Sequence, residues 1–264
     1  MLIPIIHGFE SHPPLFFFSK METIKKILIT TEGKKFYIRD LSKDFHTQFG
    51  YIKAKDLMKN GKVISNTKKE FYLFNPSFID AYKKIKRMPQ IITLKDLGII
   101  IAETGINSKS KIVDAGTGSG ALACFLANIA KEVVSYEIRN DFLEVAETNK
   151  KLLNIKNLKI KNKDIYQGID EKKIDLITLD LPEPWKVLKY ADNALKVGGF
   201  IVSYSPTIPQ VMDFVNGLAK YKNFIHVKTI EIIQREWDIK ERVVRPKTSI
   251  INHTGFLTFA RKIG

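Results

Sequence analysis

The segment Ile112 to Gly120, which reads IVDAGTGSG, constrains the fold of this chain more than any other part. It joins a short apolar strand to an acid and three alternating glycines. The chain must turn sharply after the strand, and Gly116, Gly118 and Gly120 tolerate positive φ and let a ligand approach the backbone. The apolar segment Ala121 to Ala130 then predicts a packed helix whose N-terminal N–H groups suit a carboxylate or phosphate. The segment therefore predicts a nucleotide-type cofactor site.

The glycines alone do not identify the cofactor. Gly116, Gly118 and Ala121 also match the dinucleotide pattern G-x-G-x-x-A, so an NAD-dependent oxidoreductase is an alternative. Asp114 favours S-adenosylmethionine, because its carboxylate can meet the amino-acid end of that cofactor and would repel a pyrophosphate. A third interpretation is a glycine-rich turn with no ligand, which the strand-to-helix context disfavours.

The charge of the chain indicates an acidic partner. The 264 residues carry a formal net charge of +15, and the first 88 hold 17 Lys and Arg against 8 Asp and Glu. This excess favours nucleic acid over membrane as the partner. The single cysteine, Cys124, lies in the apolar helix, so no internal disulfide can form and we expect a cytoplasmic protein. No apolar run reaches the length of a membrane span.

The pattern along the chain predicts four parts. Residues 1 to 20 make a poor fold element and are expected to be a disordered extension or one absent from the natural protein. Residues 21 to 75 alternate in short runs between turns, which predicts a small basic antiparallel β domain. Residues 76 to 95 form a connector with a helix over Pro76 to Arg87. Residues 96 to 264 alternate strands with helices, which predicts an α/β, doubly wound, Rossmann-like sheet with an antiparallel edge from Phe224 to Trp237 and Gly255 to Ala260.

Four acids follow or end successive predicted strands: Asp114, Glu137, Asp164 and Asp180. In a doubly wound sheet, ligands bind beyond the carboxyl ends of the strands. A carboxylate at Glu137 can accept hydrogen bonds from both ribose hydroxyls, and one at Asp164 can accept from an adenine amino group. These acids predict that a nucleoside-containing ligand binds at this edge.

Asp180 opens the sequence DLPEPW, which ends at Trp185. Its two prolines predict a rigid loop, and its apolar wall with an indole suits a flat aromatic base. The alternative is a proline-terminated strand with Trp185 in the core. The scattered histidines and the lone cysteine predict no metal site. The chain also lacks the motifs of P-loop phosphate transfer and of serine hydrolases.

Several motifs together resemble the archaeal-type tRNA adenine-N1 methyltransferases, which methylate adenines 57 and 58 of the tRNA T loop. The resemblance covers about Met21 to the C-terminus. It is carried by VDAGTGSGA with Glu137, FHTQFGYI (Phe45 to Ile52), DLPEPW, Gly198-Gly199, SYSPTIPQV (Ser203 to Val211), Arg245-Pro246 and HTGF (His253 to Phe256).

The resemblance implies roles for particular residues. Asp180 becomes the catalytic residue: adenine N1 needs no strong base, and a carboxylate that accepts from the exocyclic amine positions the ring and stabilises the positive charge that develops on it. The resemblance also implies a homotetramer. The implied cofactor-binding residues are Asp114, Gly116, Thr117, Gly118, Ser119, Gly120, Ala121, Leu122, Glu137, Asp164 and Asp180. The implied substrate-binding residues are Thr93, Pro182, Trp185 and Tyr204.

One position departs from the family pattern. The family usually places an aromatic or imidazole side chain and then Pro before its Lys-Asp pair, whereas Thr93 and Leu94 precede Lys95-Asp96 here. Thr93 cannot stack on a base, so either Trp185 or Tyr204 supplies the stacking or hydrogen bonds hold the flipped adenine. A non-catalytic tRNA-binding subunit with the same fold is a further alternative, against which the intact glycine loop and Asp180 argue.

Overall fold

A computed structural model describes residues 22 to 89, 91 to 249 and 252 to 264. The extension predicted over residues 1 to 20 lies outside the described residues. Within these ranges the chain forms a small N-terminal β sheet and a larger α/β unit, joined by a connector. None of the described helices is both long and apolar enough to cross a membrane.

The N-terminal part is built from short antiparallel strands, as the alternating pattern predicts. A four-stranded sheet has the order β2-β1-β6-β5, and a separate hairpin pairs β3 with β4. Its inner face buries Leu28, Phe71 and Leu73 completely. The elements are β1 (Lys26–Thr30), β2 (Lys35–Ile38), β3 (Phe45–Thr47), β4 (Gly50–Ile52), α1 (Ala54–Leu57), β5 (Gly61–Ile64) and β6 (Glu70–Phe74).

The connector contains less helix than the sequence predicts. Instead of a helix over Pro76 to Arg87, the structure has the short helix α2 (Phe78–Tyr82). After α2 the N–H groups of Lys84 and Ile85 form only i→i−3 turn bonds, and the Lys86 N–H donates to the Asn149 side chain at 2.9 Å, so the helix does not resume. A second connecting helix, α3 (Leu94–Thr104), was not predicted and spans the expected domain boundary between residues 95 and 96.

The α/β unit contains a seven-stranded sheet with the order β12-β15-β11-β10-β7-β8-β9. Five successive strands of this order pair in parallel, namely β11, β10, β7, β8 and β9. Strand β15 runs antiparallel to both β11 and β12. This confirms the predicted doubly wound sheet and its antiparallel edge. The elements are β7 (Lys111–Ala115), α4 (Ala121–Ala127), β8 (Glu132–Glu137), α5 (Asn140–Leu152), β9 (Leu158–Asn162), β10 (Ile174–Leu179), α6 (Leu188–Ala194), β11 (Leu195–Ser205), α7 (Ile208–Leu218), β12 (Phe224–Glu231), β13 (Trp237–Lys240), β14 (Val243–Pro246) and β15 (Phe256–Lys262).

The central strands β7, β8 and β10 are buried on both faces, which explains their mostly apolar sequences. Ile112 packs into a core with α3 and α4, whereas the next residue, Val113, packs into a core with α6 and α7. Strand β7 lies between β8 and β10, where the strand order reverses. A ligand crevice is expected at this switch point, beyond the carboxyl ends of β7 and β10.

Candidate active site

The glycine loop leaves β7 with the backbone conformation that the sequence predicts. Gly116, Gly118 and Gly120 have φ values of +85°, +53° and +74°. Gly120 is the N-cap of α4, and its N–H donates to the carbonyl of Thr117 at 2.7 Å. A Cβ atom on Gly120 would lie 3.0 Å from the Cβ of Ala146 in α5. The third glycine therefore lets α4 and α5 approach each other closely.

A cavity of about 620 Å³ lies against this loop, at the switch point of the sheet. Its size is in the range of small-molecule sites. Three segments wall it: the glycine loop, the chain after β8 and the chain after β10, while the connector closes a fourth side. The lining residues are Met88, Pro89, Ile91, Ile92, Gly116, Thr117, Gly118, Ser119, Ala121, Leu122, Glu137, Ile138, Arg139, Phe142, Asp180, Leu181 and Pro182. Six of the seven predicted loop residues, all but Gly120, therefore line one cavity.

Glu137 lies at the end of β8, on the cavity wall, and is almost fully buried. Its Oε2 accepts from the Gly118 N–H at 2.9 Å, and its Oε1 accepts from the N–H groups of Ile138 and Arg139 at 3.0 Å each. A carboxylate has about four lone-pair sites, so acceptor capacity remains for ligand hydroxyls. Glu137 thus fixes the glycine loop while facing the cavity, a position consistent with its predicted ribose contact.

Asp114 occupies a different position from the expected one. Its side chain is 1% exposed and lies outside the cavity lining. Each carboxylate oxygen accepts from one hydroxyl, that of Ser135 at 2.6 Å or that of Thr178 at 2.7 Å. Burial raises the pKa of the carboxyl. The geometry does not support the predicted contact with the cofactor; Asp114 instead ties β7 to both neighbouring strands beneath the loop.

Asp180 directly follows β10 and lines the cavity. Its N–H donates to the Ala115 carbonyl at 2.9 Å, which continues the sheet by one bond. Its carboxylate has no hydrogen-bond partner among the described residues. Burial, with a smaller contribution from the nearby Asp114, raises the pKa of Asp180 from 3.8 to about 7. A carboxylate held without partners in a cleft is the kind of group found at functional sites.

Three contacts hold the DLPEPW loop against neighbouring elements. Gln210 donates to the Pro182 carbonyl at 3.2 Å, and the Glu183 N–H donates to the Tyr166 hydroxyl at 3.2 Å. Trp185 packs against α7, where a Cβ on Gly217 would lie 2.9 Å from the Trp185 Cβ. Pro182 lines the cavity but Trp185 does not. The alternative interpretation of Trp185 as a packing residue therefore fits its position better than base stacking.

Asp164 lies outside the cavity lining. It caps the short 3-10 turn Ile165–Gln167, where its Oδ1 accepts from the Tyr166 N–H at 2.8 Å. Its predicted contact with the cofactor adenine stays a prediction.

The remaining predicted substrate residues, Thr93 and Tyr204, belong to a polar cluster behind the cavity. The fully buried Asp96 accepts from Thr93, Lys95 and Thr254, each at 2.8 Å. Tyr204 is 9% exposed, donates to the Thr254 carbonyl, and packs so tightly on Gly255 that a Cβ there would overlap its ring. Neither side chain lines the cavity. Their contacts favour a role in joining α3 to the chain before β15, and base stacking by Tyr204 is not supported.

Some cavity residues were missed by the sequence analysis. Ile138, Arg139 and Phe142 follow Glu137, and the Arg139 guanidinium lies 3.8 Å from the centre of the Phe142 ring. Their position directly after a strand-end acid was a signal that could have identified them. Met88, Pro89, Ile91 and Ile92 had no such signal. Across the parts of the chain that the structure describes, no three His, Cys, Asp or Glu side chains are grouped to hold a metal ion.

Comparison with known proteins gives consistent matches. The family model for the tRNA methyltransferase complex GCD14 subunit matches residues 82 to 245. The tRNA (adenine(57)-N(1)/adenine(58)-N(1))-methyltransferase TrmI of Methanocaldococcus jannaschii is 37% identical over 89% of this chain and 94% of its own.

Two solved structures are also similar. The tRNA (m1A58) methyltransferase TrmI of Aquifex aeolicus is 26% identical, with a TM-score of 0.75, and the match covers 93% of this chain and 100% of that one. A protein from Thermotoga maritima described as an SAM-dependent O-methyltransferase is 28% identical, with a TM-score of 0.79 and coverage of 92% and 94%. The names of the two differ in the methyl acceptor, whereas both structures share the fold of this chain.

Proposed function

Because the chain belongs to the GCD14 family of tRNA methyltransferase complex subunits, we propose that it transfers a methyl group from S-adenosylmethionine to N1 of adenine in the tRNA T loop. The relative from Methanocaldococcus jannaschii is named for adenines 57 and 58, and we propose one or both as the targets. The observation that carries this proposal is the unpartnered Asp180 carboxylate on the wall of the cavity that the glycine loop forms.

The residues of the cavity fit S-adenosylmethionine as the methyl donor. The hydroxyl of Ser119 is buried and has no hydrogen-bond partner among the described residues. Such a group loses free energy unless a ligand or water pairs with it. Because Gly116 has no Cβ, the loop can lie directly against the Asp180 carbonyl, which a Cβ atom there would approach to 2.0 Å. Thus Ser119 and the loop from Gly116 to Leu122 would hold the methionine part, and Glu137 would accept from the ribose.

Asp180 performs the catalytic role through position and charge. When bound, S-adenosylmethionine supplies a methyl group on a positively charged sulfur. The lone pair of adenine N1 forms the new bond to that methyl carbon, the carbon–sulfur bond breaks, and the purine becomes positively charged. The Asp180 carboxylate would accept from the exocyclic amine, which orients the ring and stabilises this charge. Pro182 keeps the loop rigid beside the acceptor.

The activity should increase with pH through about 7. The pKa of Asp180 is raised to about 7, so the carboxylate that accepts from the amine is lost as the pH falls below that value. We expect kcat/KM to fall about tenfold per pH unit well below 7 and to level off above it. Initial rates at subsaturating substrate between pH 5.5 and 8.5 measure this. A profile that is flat across the range would contradict the proposed carboxylate role.

We propose that the N-terminal sheet binds the tRNA backbone. Lys53, Lys55 and Lys68 are exposed there, and none forms an ion pair among the described residues. Lysines without ion pairs can contact phosphates and displace counterions. Contacts of this kind hold a folded RNA without reading its bases.

The affinity for tRNA should therefore depend steeply on salt. Replacing both Lys53 and Lys55 with Gln should weaken tRNA binding about tenfold at low salt and reduce the slope of log K against log salt by about one to two. Binding titrations at several salt concentrations test this. The matched control is Lys109→Gln, an exposed lysine beside the amino end of β7, which should leave the slope unchanged. Equal slopes for the double variant and wild type would contradict this RNA-binding surface.

We propose that the protein acts in the cytoplasm as a homotetramer. The hairpin of β13 and β14 supports assembly, because more than half of each of Trp237, Ile239, Val243 and Val244 is exposed. Exposed apolar patches of this kind commonly mark protein contacts. Light scattering should give four times the mass of one chain. A monomer at micromolar concentration would contradict the tetramer and leave the methyl-transfer proposal standing.

The methyl-transfer proposal is tested with unmodified tRNA transcripts and radiolabelled S-adenosylmethionine. We expect label in the wild-type transcript, and loss of label when adenines 57 and 58 are both replaced by guanine. Transcripts with one replacement identify which position reacts. Label that persists in the double replacement would overturn the T-loop assignment. Absence of label, with stabilisation by NAD but not by S-adenosylhomocysteine, would favour the oxidoreductase alternative. Absence of label with tRNA binding intact would favour the non-catalytic subunit.

A further inference from the structure

A buried asparagine on α5 joins two separate walls of the cavity. The side chain of Asn149 is 0% exposed. Its Nδ2 donates to the Ser119 carbonyl and to the Lys86 carbonyl, at 2.8 Å each, and its Oδ1 accepts from the Lys86 N–H at 2.9 Å. The two contacted residues lie 30 and 63 positions away along the chain. One amide thus bonds to the backbone of both the glycine loop and the connector.

The contact at Lys86 fixes the connector just after its last helical turns. The N–H groups of Lys84 and Ile85 still donate to the carbonyls of Ala81 and Tyr82, as in a helical turn. At Lys86, by contrast, the backbone N–H donates to the Asn149 side chain and the backbone carbonyl accepts from it. From there the chain runs on to Met88 and Pro89, which line the cavity. The position of this wall therefore depends on a side chain of α5.

The contact at Ser119 fixes the glycine loop to the same helix. The Ser119 carbonyl accepts from Asn149, while its hydroxyl stays buried and unpartnered beside the cavity. One turn earlier on α5, Ala146 lies so close to Gly120 that a Cβ there would be 3.0 Å from the Cβ of Ala146. Ala146 and Asn149 are three residues apart and share a helix face. This face of α5 supports the loop.

We propose that Asn149 is a positioning residue that couples the glycine loop to the connector wall, so that cofactor binding at the loop also orders the connector. The inference rests on the proposed function, since it assumes that the cavity binds S-adenosylmethionine. An amide side chain is required because the surrounding backbone presents two acceptors, the carbonyls of Ser119 and Lys86, and one donor, the Lys86 N–H. Aspartate has no donor when ionised, and alanine has neither donor nor acceptor. Either replacement leaves buried carbonyls without partners and releases both segments.

Two variants and a matched control test the proposal. Asn149→Asp and Asn149→Ala should weaken S-adenosylhomocysteine binding, measured by calorimetry, at least tenfold. The KM for S-adenosylmethionine should rise about tenfold, while kcat at saturating cofactor should fall less than threefold. The control is Asn157→Ala. The Asn157 amide also bonds to backbone, to the carbonyls of Ala127 and Ala130 at the far end of α4. This variant should lose stability without a change in cofactor affinity beyond twofold.

Hydrogen exchange on the wild-type protein gives a readout that needs no variant to fold. S-adenosylhomocysteine should slow amide exchange in the glycine loop and also in residues 83 to 89 of the connector. In Asn149→Asp at saturating ligand, the loop should remain protected and the connector should not.

The outcomes separate this inference from the function on which it rests. Wild-type protein that binds S-adenosylhomocysteine without protecting the connector overturns the coupling alone. Asn149 variants that bind S-adenosylhomocysteine as tightly as Asn157→Ala would also overturn the coupling alone. Wild-type protein that does not bind S-adenosylhomocysteine overturns the proposed function and this inference together.

Discussion

Replacement of Asp180 with Ala should reduce kcat at least about 100- to 1000-fold, the usual cost of removing a group that stabilises transition-state charge. The effect follows from the position of the carboxylate, which faces the cavity without a hydrogen-bond partner among the described residues. Because the loop from Gly116 to Leu122 and Glu137 remain, the Kd for S-adenosylhomocysteine should change less than about threefold. Single-turnover kinetics and calorimetry measure the two quantities.

Asp175 provides the matched control, because it lies at the opposite end of the same strand. Its Oδ2 accepts from the Lys111 N–H at 2.7 Å, and it pairs with Lys196. Asp175→Ala should lower the free energy of unfolding by about 1 to 2 kcal/mol and leave kcat within about twofold of wild type. A rate for Asp180→Ala within tenfold of wild type, or a loss equal to that of Asp175→Ala, would contradict the catalytic assignment.

Asp180→Asn separates the charge of this residue from its shape. The pKa of Asp180 is raised from 3.8 to about 7 in the folded protein. At pH values between these two, folded wild type therefore keeps a proton on Asp180 that the unfolded chain has already lost. Its free energy of unfolding therefore falls as the pH rises through this window and levels off above about 7. The full difference corresponds to at most about 4 kcal/mol, and contact with solvent reduces it. We expect Asp180→Asn to lose activity and to be about 1 to 2 kcal/mol more stable than wild type at pH 8.

Replacement of Gly116 with Ala should abolish cofactor binding. A Cβ at this position would lie 2.0 Å from the carbonyl oxygen of Asp180, well inside contact distance, and the φ of +85° is strained for any residue with a Cβ. Because both the loop and the end of β10 would have to move, the two halves of the site would separate. We expect S-adenosylhomocysteine affinity to fall at least about 100-fold, because two of the segments that line the cavity would be displaced.

Gly105→Ala is the control that isolates backbone strain from the clash. Gly105 is the C-cap of α3, has a φ of +62°, and has no atom within 4 Å of a built Cβ. Its replacement should lower the free energy of unfolding by about 1 kcal/mol, because alanine is disfavoured at positive φ. It should leave cofactor affinity unchanged. If Gly116→Ala bound S-adenosylhomocysteine as tightly as Gly105→Ala, the close approach of Gly116 to Asp180 would not be needed for cofactor binding.

The position of Gly116, Glu137 and Asp180 on one cavity was predictable because the signals at these residues are local. A glycine at positive φ, an acid at a strand end and an apolar run can each be recognised within a few residues, as for Gly116, Glu137 and Asp180. The strands of the α/β unit were predictable for the same reason. Their order places β7 and β10 side by side, which brings the glycine loop and Asp180 together.

The remaining features depend on tertiary contacts that no local pattern reports. Asp114 has the same signal as Glu137, but hydroxyls on both neighbouring strands occupy its oxygens. Tyr204 has the ring that base stacking needs, yet it packs on Gly255, 51 residues later in the numbering. The connector helix does not resume after its last turns, because the N–H and carbonyl of Lys86 bond to the Asn149 side chain. In each case the partner is distant in sequence and changes the role that the residue type suggests.

The identity of the methylated nucleoside tests methyl transfer to adenine N1 directly. Unmodified tRNA transcript is incubated with the protein and S-adenosylmethionine, digested to nucleosides, and analysed by liquid chromatography and mass spectrometry. We expect 1-methyladenosine with the wild-type protein and none with Asp180→Ala. N6-methyladenosine, a methylated nucleoside other than adenosine, or no methylation by wild-type protein that binds the cofactor would contradict it.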